Sequence, residues 1–209
     1  MQLIGMLDSP YVRRVAISLQ LLGLPFEHRS VSVFRQFSAF QAINPVVKAP
    51  SLVCDDGQVL MDSSLILDFA EALASPHSLM PTALAPRQQA LRTIGLALAA
   101  CEKSVQIVYE QELRPIDKQH APWMSRVTGQ LLAACDALEA EITRHPLPHH
   151  SIDQAGVSSA VAWTFIQAMV PQVVEAKRCP ALAAWTAQAE QRPEFQAAPH
   201  SDLTYVQAP

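Results

Sequence analysis

Ser9-Pro10-Tyr11-Val12-Arg13-Arg14 stands between a short apolar run, Gln2 to Met6, and a helical stripe made by Val15, Ala16, Leu19 and Leu22. The run before it suits a buried strand. Serine is a favoured helix cap, proline is favoured at the first helical position, and Gly23 closes the segment. A strand therefore feeds into a helix through this hexapeptide, and a hydroxyl sits at the helix start, where backbone N–H groups are unpaired and the dipole is positive.

Reading outward, Phe26 to Val33 has the character of a second strand, and Phe34 to Ile43 is ambiguous up to the breaker Asn44-Pro45. Pro50 to Cys54 and Gln58 to Met61 flank Asp55-Asp56-Gly57, a hairpin signal. Ser63 to Leu73 then carries Leu65, Ile66, Phe69, Ala70 and Leu73 on one helical stripe. The order is βαβ, a link, then ββα, which predicts a parallel pair and a hairpin in one mixed sheet. Ser75 to Pro86 holds Pro76, Pro81 and Pro86 with little periodicity and reads as a linker. Beyond it, helices are predicted over Arg87–Arg114, Pro122–Arg144, Ser151–Met169 and Pro180–Gln191, the third apolar on most faces and so buried. Ser151 and Gln154 read as a capping box before that helix. The expected architecture is an α/β domain over 1–75, a linker over 76–86 and an all-α helical bundle domain over 87–209.

The chain has 209 residues, 50% of them hydrophobic and 16% charged, with net charge −4, a composition that builds cores and lacks the basic excess of a nucleic-acid binder. The N-terminus has no basic segment followed by a long apolar stretch, and the run Ile94 to Cys101 is far short of the ~20 residues that span a bilayer. A soluble, cytoplasmic protein without a membrane partner is expected. Cys54, Cys101, Cys135 and Cys179 are scattered without metal-ligand spacing and read as reduced, mostly buried thiols. No metal site is expected, and His149-His150, beside Pro146 and Pro148, reads as a loop.

Ser9-Pro10-Tyr11-Val12 resembles the C-P-Y-C active site of glutaredoxins with both cysteines replaced. With Arg13 and Arg14 it is similar to the S-P-[FY]-V-R-[RK] motif of bacterial glutathione transferases, a family with a thioredoxin-like N-terminal domain. Asn44-Pro45-Val46-Val47-Lys48-Ala49-Pro50 resembles that family's N-P-x-G-K-V-P segment, and Asp62-Ser63 its [ED]-S pair. The resemblance is specific over the first third of the chain and architectural beyond it.

The resemblance implies that Ser9 is catalytic. Its hydroxyl would donate to the glutathione thiolate; lowering a free thiol pKa near 8.5 by about two units is roughly 2.7 kcal/mol of preference for the thiolate. It implies a cis peptide at Pro50, with Ala49 pairing its backbone with glutathione like an added strand, and Lys48 holding a carboxylate. Ser63 would bind the γ-glutamyl carboxylate at a helix start, and Asp62 would face the γ-glutamyl ammonium. Val47 replaces the family's glycine, so a positive φ there would strain it. An electrophile pocket between the domains is implied, with Leu7, Tyr109, Leu113 and Trp163 as candidate lining; ordinary core packing is the competing reading of each. Glutathione as co-substrate, a small hydrophobic electrophile and a homodimer complete the expectation. Serine at position 9 disfavours disulfide exchange by the protein itself. The alternatives are a catalytically silent binding or regulatory protein, and a glutathione-dependent isomerase, peroxidase or reductive dehalogenase.

Overall fold

A computed structural model describes residues 1–148 and 151–205. His149 and His150, read above as a loop, lie outside the described residues. The chain divides into two units, one formed by 1–79 together with the C-terminal stretch from Gln191, the other by Met80–Glu190.

In the first unit, β1 (Gln2–Ile4) leads into α1 (Pro10–Leu21), followed by β2 (Glu27–Arg29), α2 (Phe37–Ile43), β3 (Ser51–Val53), β4 (Val59–Leu60) and α3 (Ser63–Ala74). The sheet order is β2-β1-β3-β4. β1 runs parallel to β2 with Leu3 opposite His28, and antiparallel to β3 with Leu3 opposite Leu52. β3 and β4 form the hairpin, closed by Gly57 N–H to the Cys54 carbonyl at 3.0 Å. This is the βαβ–ββα unit expected from the sequence. β2 is shorter than Phe26–Val33 because its partner β1 offers only three residues to pair with. The ambiguous stretch is α2, whose Phe40 is fully buried beside Ile4 and Val31. α1 ends where Gly23 adopts φ +70°, a left-handed turn that glycine accepts without cost.

The tail from Gln191 belongs to this first unit and not to the helical domain, a correction to the expected 87–209 boundary. It contains α8 (Pro193–Gln196), whose Phe195 is fully buried. Burial explains why its weak periodicity was uninformative: a short irregular segment contributes single anchors rather than a stripe.

The second unit holds α4 (Leu84–Leu113), α5 (Ala121–Arg144), α6 (Gln154–Met169) and α7 (Pro180–Ala189). α4 starts three residues before the expected Arg87, so Pro86 lies in its first turn, where proline is tolerated. α6 is buried along nearly its whole length. Its cap is Asp153, whose carboxylate accepts from Gly156 N–H at 2.8 Å, so the Ser151–Gln154 capping box is replaced by a cap two residues later. α7 has no side-chain cap of its own; Glu139 of α5 accepts from the Ala181 and Leu182 N–H groups at 2.8 and 2.9 Å. The four cysteines are free thiols, three of them buried. Among the described residues no helix is long and apolar enough to cross a membrane.

Candidate functional site

The β1–α1 connection, the loop before β3 and the start of α3 form one connected corner of the first unit. Gly5, just past β1, has φ +134°; a methyl group there would lie 2.6 Å from Val12 Cγ2 and 3.2 Å from Ala49 Cβ. Only hydrogen fits, so Gly5 lets α1 and the Ala49 loop close on the end of β1. Arg14 ties α1 to α3: its Nη1 donates to Ser63 Oγ at 3.2 Å and Ser64 Oγ at 3.3 Å. A buried guanidinium requires such partners, because an unpaired buried charge is costly.

Ser9 is the N-cap of α1, in extended backbone, with its side chain half-buried. Its Oγ accepts from Val12 N–H at 3.5 Å, a long contact that commits the hydroxyl weakly. Because Oγ is the acceptor in this contact, the hydroxyl proton is left to donate to a second partner.

The Ala49–Pro50 peptide is cis. Neither the N–H nor the C=O of Ala49 has a hydrogen-bond partner among the described residues. An unpaired donor and acceptor on one half-buried residue offer an extended peptide an edge to pair with. The loop is braced from within. Asn44, buried to 4% exposure, donates from Nδ2 to Ser51 Oγ at 2.8 Å and accepts from Val46 N–H at 3.0 Å. Ser51 Oγ donates to the Lys48 carbonyl at 2.7 Å. Val47 has φ +53°, so the position that carries glycine in the resembled motif does adopt the left-handed conformation, and valine bears the strain. Lys48 is exposed.

Asp62 caps α3 through Oδ1 and Ser64 N–H at 2.9 Å. Ser63 is 3% exposed and its N–H, at the helix start, has no partner among the described residues. Helix starts of this kind accept anions. The same corner holds Asp8, Arg35 and Asp202. Arg35 Nη2 lies 3.4 Å from Asp202 Oδ2. Although Asp8 is solvent-exposed, partial desolvation, partly offset by the Ser9 N–H and by Arg35, raises its carboxyl above its ordinary pKa.

Ser9, Ala49, Pro50, Asp62 and Ser63 are thus brought together by Gly5 and Arg14, with Lys48 on the rim. Leu7 is fully buried and Trp163 is 4% exposed, so both serve as packing in this structure. Tyr109 and Leu113 are exposed near the end of α4. Sequence reading missed Asn44, Ser51 and Gly5 as site builders and gave Arg14 no task. The N-P breaker at Asn44 and the reach of the motif through Arg14 were the available signals. Among the described residues no group of three or more His, Cys, Asp or Glu is placed to hold a metal.

A small mixed sheet with a helix-start hydroxyl, a cis-proline loop and a second helix start, followed by a helical unit, defines a thioredoxin-like domain joined to a helical bundle. Residues 3–78 match the family model described as the glutathione S-transferase N-terminal domain. A crystal structure of a glutathione transferase family member from Pseudomonas fluorescens Pf-5, with bound glutathione, is 30% identical to this chain; the match covers 94% of this chain and 97% of that one, with TM-score 0.78. A second structure from that organism, with bound S-(propanoic acid)-glutathione, is 29% identical with TM-score 0.79, covering 95% and 98%. The uncharacterized GST-like protein YibF of Escherichia coli K12 is 25% identical over 162 residues, 78% of this chain and 80% of that protein. This chain belongs to the glutathione transferase family.

Proposed function

We propose that the first unit binds glutathione, that Ser9 Oγ stabilises its thiolate, and that the thiolate attacks a small hydrophobic electrophile. The observation that supports this most directly is the unpaired N–H and C=O of Ala49 beside the cis Pro50, next to a serine hydroxyl held only loosely as a cap. The cysteinyl backbone of glutathione pairs with Ala49. Its sulfur meets the Ser9 hydroxyl and the positive end of α1. The γ-glutamyl carboxylate takes the Ser63 N–H at the start of α3, and the ammonium faces Asp62; Lys48 receives the glycyl carboxylate. The P. fluorescens structures, bound to glutathione and to a glutathione thioether, support this choice of ligand. Catalysis then rests on a lowered thiol pKa and on proximity. Tyr109 and Leu113, exposed on α4, remain the apolar candidates that the family resemblance implies. The reading includes a two-fold homodimer working in the cytoplasm, as the family resemblance implies, and assigns no step to a metal.

Calorimetric titration of glutathione, paired with ultraviolet titration of the bound thiolate, tests it. Ser9→Ala should bind glutathione within about threefold of wild type but raise the bound thiol pKa by about 1–2 units, a loss of about 1.4–2.7 kcal/mol of thiolate preference. Asp62→Asn keeps a capping oxygen for Ser64 and removes the charge, and should weaken binding about tenfold. Unchanged thiol acidity in Ser9→Ala removes the catalytic assignment. Tight binding with no turnover on any electrophile identifies a binding protein.

A further inference from the structure

The C-terminal stretch is fastened to α1 and to β2 and its flanks at several points, among them Gln20 Nε2 to the Glu194 carbonyl at 3.0 Å and the Arg35–Asp202 pair. Arg13 Nε donates to the Ala198 carbonyl at 2.7 Å, with the guanidinium over the Phe195 ring at 5.5 Å. Ser30 Oγ donates to the Asp202 carbonyl at 2.8 Å. Tyr205 stacks on Phe26 with ring centroids 4.7 Å apart. A further fastening passes through His28, in the middle of β2 and 5% exposed. Its Nδ1 lies 2.8 Å from the Tyr205 backbone nitrogen, and its Nε2 lies 2.6 Å from the Gly5 carbonyl.

These contacts determine the ring's proton. A backbone N–H only donates, so Nδ1 accepts, and Nε2 carries the hydrogen donated to Gly5. Gly5 is also the point where α1 and the Ala49 loop press on the end of β1. One imidazole therefore joins the tail to the backbone that places Ser9 and Ala49. We propose that residues 193–205 are an integral clamp of the glutathione-binding unit and that neutral His28 is the positioning residue coupling this clamp, through Gly5, to the loop that bears Ser9. The link to Ser9 chemistry rests on the functional reading above; the clamp itself does not.

A doubly protonated ring would set one N–H against the Tyr205 N–H and leave no acceptor. Burial lowers the His28 pKa below 6.5, opposed by the Gly5 carbonyl. Among the described residues, burial and the Gly5 carbonyl are the causes of that shift. Glu27 and Arg29 flank His28 on the exposed face of β2, engaging the Gln2 amide at 2.8 and 3.4 Å. In the tail, Asp202 faces Arg35, and burial raises the Tyr205 phenol. Asp8, on the loop after β1, interacts with Arg35 and Asp202. A folded-state pKa below the unfolded one means that the native state binds fewer protons in the window between them. Docking is complete above pH 6.5 and weakens as pH falls through the lowered value.

Hydrogen exchange of the tail peptide, corrected for the intrinsic pH dependence of exchange, is measured at about pH 7.5 and about pH 5. In wild type the tail should exchange at least about tenfold faster at the lower pH. His28→Gln cannot titrate, so its tail should exchange alike at both pH values. His28→Phe should expose the tail at both and raise the thiol pKa of bound glutathione. A wild-type tail with pH-independent protection overturns the clamp, as does a His28→Gln tail that keeps the wild-type pH response. If Ser9→Ala raises the bound thiol pKa and folded His28→Phe does not, the positioning role is overturned. If Ser9→Ala leaves that pKa unchanged, the functional reading fails while the exchange comparison still decides the clamp.

Discussion

Replacing Gly5 with alanine tests whether three segments of the site meet where the structure places them. At φ +134° an alanine is strained by about 1–3 kcal/mol. Its methyl would also lie 2.6 Å from Val12 Cγ2 and 3.2 Å from Ala49 Cβ, well inside the ~3.5–4.0 Å optimum for carbon pairs. Neither neighbour yields easily. Val12 is β-branched, fully buried and on a helix, where one rotamer dominates; Ala49 has no rotamer to change. The overlap therefore passes to the backbone, at an overpacking cost of about 1–3 kcal/mol. The combined loss is about 2–6 kcal/mol, against a stability of about 5–15 kcal/mol for an ordinary domain. Trp123, Trp163 and Trp185 all lie in the second unit, so the change is read in the first unit by exchange of the β1 amides. Val12→Ala removes the nearer obstacle at its own cost of about 2 kcal/mol. The double variant should fall short of additivity by about 1–3 kcal/mol, the overlap share of the Gly5→Ala loss. Glutathione affinity should fall with Gly5→Ala, because Ala49 and the start of α1 are displaced together. A Gly5→Ala protein within ~0.5 kcal/mol of wild type, or strict additivity with Val12→Ala, refutes the reasoning.

Substitutions at three further positions, with Val53→Gly as a reference, probe other elements. Asp153→Ala should cost about 0.5–2 kcal/mol by removing the α6 cap, whereas Asp153→Asn should be near neutral, because it keeps the oxygen and drops a charge that burial disfavours. Burial raises the Asp153 pKa above 3.8, so stability falls as pH rises through that window in wild type, and Asp153→Asn should remove the fall, read by denaturation across pH. Val47→Gly loses about 1 kcal/mol of packing and about 0.5–1 of chain entropy but relieves about 1–2 of left-handed strain. It should therefore cost about 1–2 kcal/mol less than Val53→Gly, a half-buried valine of the same cluster in ordinary strand conformation, measured by exchange of the same unit. Gly156→Ala places a methyl 2.7 Å from Trp185 Cζ2 and 3.1 Å from Ile152 Cγ1, so it should destabilise the second unit by about 1–3 kcal/mol and shift the tryptophan unfolding transition.

Local chemistry carried much of this protein's description into its sequence. Ser9-Pro10 marks a helix start because a cap and a fixed φ act over one turn. Asp55-Asp56-Gly57 marks a hairpin because the turn needs what glycine alone supplies. The βαβ–ββα order follows from short apolar runs and turn signals that alternate with helical stripes along the chain. Asp62-Ser63 was legible through its resemblance to the family's [ED]-S pair, and in the structure Asp62 caps α3.

Tertiary structure decided what depends on partners distant in sequence. Arg14 meets Ser63 across 49 positions, and Arg13 meets Ala198 across 185; no periodicity records either pairing. Asn44 and Ser51 brace the cis loop through hydrogen bonds whose geometry exists only once the sheet has formed. The assignment of residues 191–205 to the first unit was hidden because a docked tail is held by single anchors, namely Phe195, the Asp202 carbonyl and the Tyr205 N–H, rather than by a repeating apolar face. The state of His28 was hidden likewise. A histidine's proton is placed by the two groups its ring touches, and here one lies 23 residues upstream and the other 177 downstream.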